Sequence, residues 1–130
     1  LEKSLSLQQA TFESIQEGIL AVNCNGTIIS YNQRFLKMWS ISQYVLDEPD
    51  QHVRIQYLAQ QLKEPAQFFQ RVRELYTTPE AESYDLLELK DGRVFERYSC
   101  PQRIGTEIIG RVWTFRDITA RIEAEAALKA

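Results

Sequence analysis

Residues 112–123 read Val112-Trp113-Thr114-Phe115-Arg116-Asp117-Ile118-Thr119-Ala120-Arg121-Ile122-Glu123. The first half is rich in β-branched and aromatic residues, which fit a pleated strand. From Ile118 to Ala130 the chain is rich in Ala, Glu and Leu and has no Gly or Pro, so its intrinsic preference is helical. A strand that passes straight into a helix leaves the first helical N–H groups without partners, and Asp117 or Thr119 can accept from them. A carboxylate placed there also gains about 0.3–1 kcal/mol from the helix dipole. The helix then points out of the domain to which the strand belongs.

Working back from this junction, Ser83 to Leu89, Val94 to Cys100 and Glu107 to Arg116 read as three strands, separated by Asp91-Gly92 and a loop around Gly105. Ahead of them, Ser40 to Pro79 turns helical. Ile55, Leu58, Ala59 and Leu62 share one face, and Phe68, Val72, Leu75 and Tyr76 share another after Pro65 at a first-turn position. Near the start, Ile19 to Asn23 and Thr27 to Tyr31 flank the turn Asn25-Gly26, and Asn32 can cap a helix carrying Phe35, Leu36 and Trp39. Leu1, Leu5, Phe12 and Ile15 fall at alternating four- and three-residue steps if Gln8 takes one seam position, an amphipathic helix. It could cover the domain's own sheet or pair with a second copy, and both readings stay open. Two strands, helices and three more strands make an α+β order.

The 130 residues carry 44% hydrophobic and 25% charged positions, the profile of one globular domain that needs no disulfide or metal to fold. Fifteen Lys and Arg against eighteen Asp and Glu give a net charge of −3 without a basic stripe, which argues against a nucleic-acid partner. The longest purely apolar run, Ile19 to Val22, is far below the roughly 20 residues a membrane crossing needs. With no signal segment, a cytoplasmic location without membrane insertion is expected, and Cys24 and Cys100 are expected to stay reduced. The chain opens on Leu1 and stops inside a helical pattern at Ala130, so a longer polypeptide is expected. Neither a Ser-His-Asp spacing nor a Gly-rich phosphate loop is present, and the single His52 offers no metal cluster. The domain is therefore expected to have no catalytic residues and no metal.

The order and motifs together resemble the PAS domain, the sensory module of bacterial histidine kinases and diguanylate cyclases. Glu17-Gly18-Ile19, Asn25-Gly26-Thr27-Ile28, Asn32 before an aromatic helix, Asp91-Gly92-Arg93 and Arg116-Asp117-Ile118-Thr119 all look like signatures of that family. The resemblance implies a five-stranded antiparallel sheet with helices across one face. It divides the chain into an N-terminal helix over 1–16, a core over 17–117 and a connector helix over 118–130. It implies a homodimer with Leu5, Phe12 and Ile15 in its seam, and an output domain in the same chain reached through Asp117 and Thr119.

The resemblance also invites a cofactor. Haem-binding members use a histidine on a helix beside the pocket, whereas His52 sits in the polar run Asp50-Gln51-His52-Val53-Arg54. Light-oxygen-voltage members place a reactive cysteine on a helix after the hairpin, whereas Cys24 falls in the first hairpin and Phe115 stands where they have a flavin-binding glutamine. Haem and flavin are both disfavoured, and no cofactor is expected. Aligned this way, Leu20, Val22, Ile28, Phe95, Arg97, Ser99, Trp113 and Phe115 face the helices, opposite Phe35, Trp39 and one of Phe68 or Phe69. So many rings favour a filled core. Arg97 is the exception: buried, it would suit a small acidic metabolite, or pair with Glu88, Glu96 or another nearby acid. A strand face shifted by one residue would instead turn Val94, Tyr98 and Cys100 inward and Arg97 to water. The expected function is signal input and dimerisation, with a constitutive interaction or spacer module as the alternative.

Overall fold

A computed structural model describes residues 16–129 of the chain. Its elements are β1 (Gly18–Asn23), β2 (Ile28–Tyr31), α1 (Gln33–Met38), α2 (Gln43–Leu46), α3 (Gln51–Ala59), α4 (Pro65–Thr77), β3 (Ser83–Glu88), β4 (Val94–Ile104), β5 (Glu107–Asp117) and α5 (Thr119–Lys129). The five strands form one antiparallel sheet in the order β2-β1-β5-β4-β3. The helix expected over 1–16, with Leu5, Phe12 and Ile15, lies outside the described residues except for Gln16, which sits in a bend before β1.

Local chemistry sets the first hairpin. Asn23 Oδ1 accepts from the backbone N–H groups of Asn25 and Thr27 at 2.9 and 3.0 Å, and Gly26 takes a φ of 82°. That conformation suits a residue without Cβ. Asn32 then ties two elements together: its Oδ1 accepts from Phe35 N at 3.1 Å and Ile19 N at 2.9 Å, and its Nδ2 donates to the Glu17 carbonyl at 2.8 Å. It caps α1 and pins that helix to the start of β1. The approach is close, since a Cβ on Gly18 would stand 2.9 Å from Phe35 Cα.

The core lies between the inner sheet face and the helices. Trp39 is its centre, fully buried, with its ring edge-on to Phe95 and Phe115 at centroid distances of 5.2 and 5.4 Å. β4 runs further than the expected Cys100, through Pro101 to Ile104, with a bulge at Gln102/Arg103. Pro101 falls just past the last β3 pair, Ser83↔Ser99, where β4 has a free edge that tolerates a missing N–H. The expected helical stretch resolves into three helices, because Pro49 and Pro65 each fall just before or at a helix start.

Candidate functional site

Strand alternation brings Phe95, Arg97 and Ser99 of β4 to the inner face, at 0%, 1% and 3% exposure, while Tyr98 and Cys100 face outward. The one-residue shift that would put Arg97 in water is therefore not adopted. The β1–β5 register sets Leu20 opposite Trp113, and the β4–β5 register sets Arg97 opposite Phe115. Together with Val22 and Ile28 these residues wall one side of a cavity, and helices α1 to α4 close the other.

The cavity has a volume of about 80 Å³, counted as space open to the centre of a water molecule. Since one water needs roughly 10–15 Å³ on this measure, the space takes several waters or one small organic molecule. The core is thus not filled throughout, contrary to expectation. Its large rings gather around Trp39 and leave the region beneath β1, β2 and α3 to smaller aliphatic side chains.

Of the residues expected to line a pocket, Leu20, Val22, Ile28, Phe35, Arg97, Trp113 and Phe115 do so. Trp39 and Phe95 lie instead in the packed aromatic cluster, and the Ser99 hydroxyl is taken by Arg111, whose Nη1 donates to it at 2.9 Å. The sequence reading missed the contributions of α2 and α3, among them Val45, Gln51, Arg54 and Ile55. Among the described residues of α3 only Ala59 is fully buried, so its inward face is weakly marked by composition. Phe68, not Phe69, is the ring that reaches the wall.

Arg97 has one acidic partner, Asp85, whose Oδ2 accepts from Nη2 at 3.1 Å. The acids expected for this role are placed elsewhere: Glu88 pairs with Lys63 at 3.5 Å, and Glu96 lies on the opposite face of the sheet with Tyr84 and Arg121. Asp85 is shared, because Arg71 Nε also reaches its Oδ1 at 3.1 Å. The Arg97 guanidinium lies over the rings of Phe68 and Trp113, 4.8 and 5.3 Å from their centroids. Its Nε and Nη1 are buried without any partner. Burial pulls its pKa below the ordinary arginine value, and the hydrogen bond and charge of Asp85 oppose that shift.

At the far end of β5, Asp117 Oδ1 accepts from Thr119 N at 2.9 Å, so the aspartate receives the first N–H of α5. Thr119 does not cap the helix; its Oγ1 donates to Asp117 and accepts from Val94 N at 3.0 Å. Ile118 N donates to the Val94 carbonyl at 2.9 Å, and Ile118 is buried. The helix α5 is thereby fastened to the first residue of β4.

Among the described residues no group of side chains could hold a metal ion, and no helix is long and apolar enough to cross a membrane. The cavity wall contains neither His nor Cys, so it offers a haem iron no imidazole and a flavin no thiol. His52 is exposed on α3, and both Cys24 and Cys100 are free and exposed.

A family model described as the PAS fold matches residues 12–126. No curated protein matches the sequence. Among solved structures, the PAS domain of BvgS from Bordetella pertussis superposes with a TM-score of 0.67 at 16% identity, covering 98% of this chain and 95% of that one. The PAS domain of a protein from Colwellia psychrerythraea gives 0.62 at 19% identity, over 91% and 99%. The sensor region of a sensor histidine kinase gives 0.61 at 12% identity, with 81% of this chain matching only 40% of that longer one. These likenesses show a shared fold, and with a family match over most of its length the chain belongs to the PAS fold family.

Proposed function

We propose that this PAS domain is the signal-input and dimerisation module of a larger bacterial signalling chain in the cytoplasm. In this reading a change in cavity occupancy or in the dimer seam shifts the outgoing helix between two arrangements, and differential affinity limits how far. The observation that carries it is the span of β4. Its first residue, Val94, holds Thr119 at the start of α5, and its fourth, Arg97, forms part of the cavity wall. One strand thus touches both the input space and the output helix. A likeness to the PAS domain of BvgS and to the sensor region of a histidine kinase supports the same role.

The domain itself carries no chemistry in this reading; an output domain in the same chain does. Leu5, Phe12 and Ile15 supply part of the dimer seam. No haem or flavin is required, and a small acidic metabolite at Arg97 is the occupant the wall favours. The alternative is a spacer that binds nothing, and a cavity of about 80 Å³ between the sheet and the helices favours a ligand over it. The test is Asp117→Ala in the full-length protein. The domain should keep its fold while the output stops responding to input, and an unchanged output in that variant would sink the proposal.

A further inference from the structure

The Asn32 cap holds α1 so that Phe35 and Met38 are buried. Arg34 and Lys37, one residue ahead of each, are three apart on a common face. Both line a groove of about 410 Å³ at the end of the sheet where β1 and β4 begin and β5 stops. Arg93 and Arg116 reach the same groove from the strand ends, with Asp117 beside them. These cations come from three separated parts of the chain, so no basic run announces them, and they gather on a protein whose net charge is −3. The groove shares no wall residue with the core cavity.

Local acids leave the cluster positive. Arg34 Nη2 donates to Gln16 Oε1, a neutral partner. Lys37 is exposed and has no hydrogen bond or ion pair among the described residues. Arg116 meets Glu17 at 3.5 Å as an ion pair without a hydrogen bond, and its side chain is 57% exposed. Arg93 is held more firmly: Nε donates to Asp91 at 2.8 Å, Nη1 to the Met38 carbonyl at 2.7 Å, and the guanidinium lies 5.1 Å from the Phe95 ring centroid. Its plane is thereby set in advance, and Nη2 has no hydrogen bond among the described residues. Asp117, the one acid of the described wall, has its Oδ1 engaged by the N–H and hydroxyl of Thr119.

A carboxylate offers two oxygens in one plane, whereas a terminal phosphate offers three in a pyramid, so cations that arrive from a helix and from strand ends can share it. One water needs roughly 10–15 Å³ on the measure that gives 410 Å³ here, so the space exceeds a single phosphate group. We propose that this groove binds a small molecule bearing a diphosphate, gripped by Arg34 and Lys37 from α1 and by Arg93 and Arg116 from the strand ends. Asp117 caps α5 from the same wall, so the bound ligand is felt at the start of that helix.

The test titrates the 130-residue chain with pyrophosphate and with ADP at fixed ionic strength, followed by amide NMR, with citrate as a carboxylate of comparable charge. Both diphosphates should give saturable shifts in α1, at Arg93 and from Arg116 to Thr119, and should bind at least about fivefold more tightly than citrate. Raising the salt should weaken them. Arg34→Gln with Lys37→Gln, two side chains that are not buried, should lower the affinity about tenfold while the rest of the spectrum keeps its dispersion. Arg103→Gln, which removes an exposed charge outside the groove, should leave it unchanged. Citrate that matches pyrophosphate, ADP that fails to bind, shifts that never saturate, or a double variant that binds like the parent each overturn the proposal. So does capture by vesicles of phosphatidylcholine and phosphatidate in equal parts without any response to pyrophosphate, which would assign the cluster to a membrane surface.

Discussion

Asp85 on β3 stands directly across the ladder from Arg97 on β4, and its carboxylate supplies the one hydrogen-bonded acceptor that the buried guanidinium has. Asp85 keeps 19% side-chain exposure and Arg97 only 1%, so the pair spans the boundary between the cavity and solvent. On the solvent side Arg71 and Glu74 of α4 extend the chain of charges, at 3.1 and 3.2 Å. A residue at the cavity wall is thereby linked to the outer surface of a helix.

Asp85→Ala should destabilise the domain by about 2–4 kcal/mol, because it strands a positive charge in the core, and less than a wholly buried pair would cost because Asp85 is partly hydrated. Urea unfolding of the variant measures it. A loss below what an exposed ion pair gives would show that the rings of Phe68 and Trp113 hold the guanidinium without Asp85.

This partner was legible in principle. A three-residue loop over 90–92, with Gly92 at a φ of 97° and Leu89 closing it against Arg93, sets the β3–β4 register and puts Asp85 against Arg97, whereas a two-residue Asp91-Gly92 turn would have put Leu86 there. The strands, the inward side of β4 and the Asp117 cap are legible because turn chemistry and alternation are local signals. The cavity wall supplied by α2 and α3 is not, since Val45, Arg54 and Ile55 are half-buried on short helices, and only tertiary packing turns them toward the sheet. Glu96 is hidden for a different reason. Alternation places it on the outer face, where a charged residue reads as solvated, and Tyr84 and Arg121 cover it only once the sheet and α5 are assembled.

Gly18→Ala should cost about 1–3 kcal/mol. The added Cβ would stand 2.9 Å from Phe35 Cα and 3.0 Å from Met38 Sδ, and the helix backbone can yield only by loosening the Asn32 cap. A thermal midpoint equal to that of the parent would show that α1 moves away from β1 freely.

Tyr76 lines the cavity, and burial raises its pKa above the ordinary tyrosine value of 10.0, with the charges of Arg111 and Arg54 acting in the opposite direction. Above pH 10 the unfolded chain has released this proton while the folded one retains it. The folded state then binds more protons, so its stability falls as pH rises through that window. Tyr76→Phe should flatten the alkaline limb of a plot of Tm against pH without changing the plateau slope at neutral pH. Parallel curves for parent and variant would contradict this.

Glu96, 6% exposed on the outer face, accepts from the Tyr84 hydroxyl at 2.8 Å through Oε2, while its Oε1 faces Arg121 of α5 at 3.5 Å as an ion pair without a hydrogen bond. The helix α5 buries no side chain of its own among the described residues, so this pair and the Asp117–Thr119–Val94 cluster account for much of its attachment. Arg121 is half-exposed, which keeps the coupling modest. A double-mutant cycle of Glu96→Gln and Arg121→Ala should give about 0.5–1 kcal/mol. Arg121→Ala alone should speed amide exchange along α5 while leaving the β4–β5 ladder protected. If exchange in α5 is unchanged, the helix is held by its junction alone, and a shift in helix position would then have to originate at Thr119 and Val94.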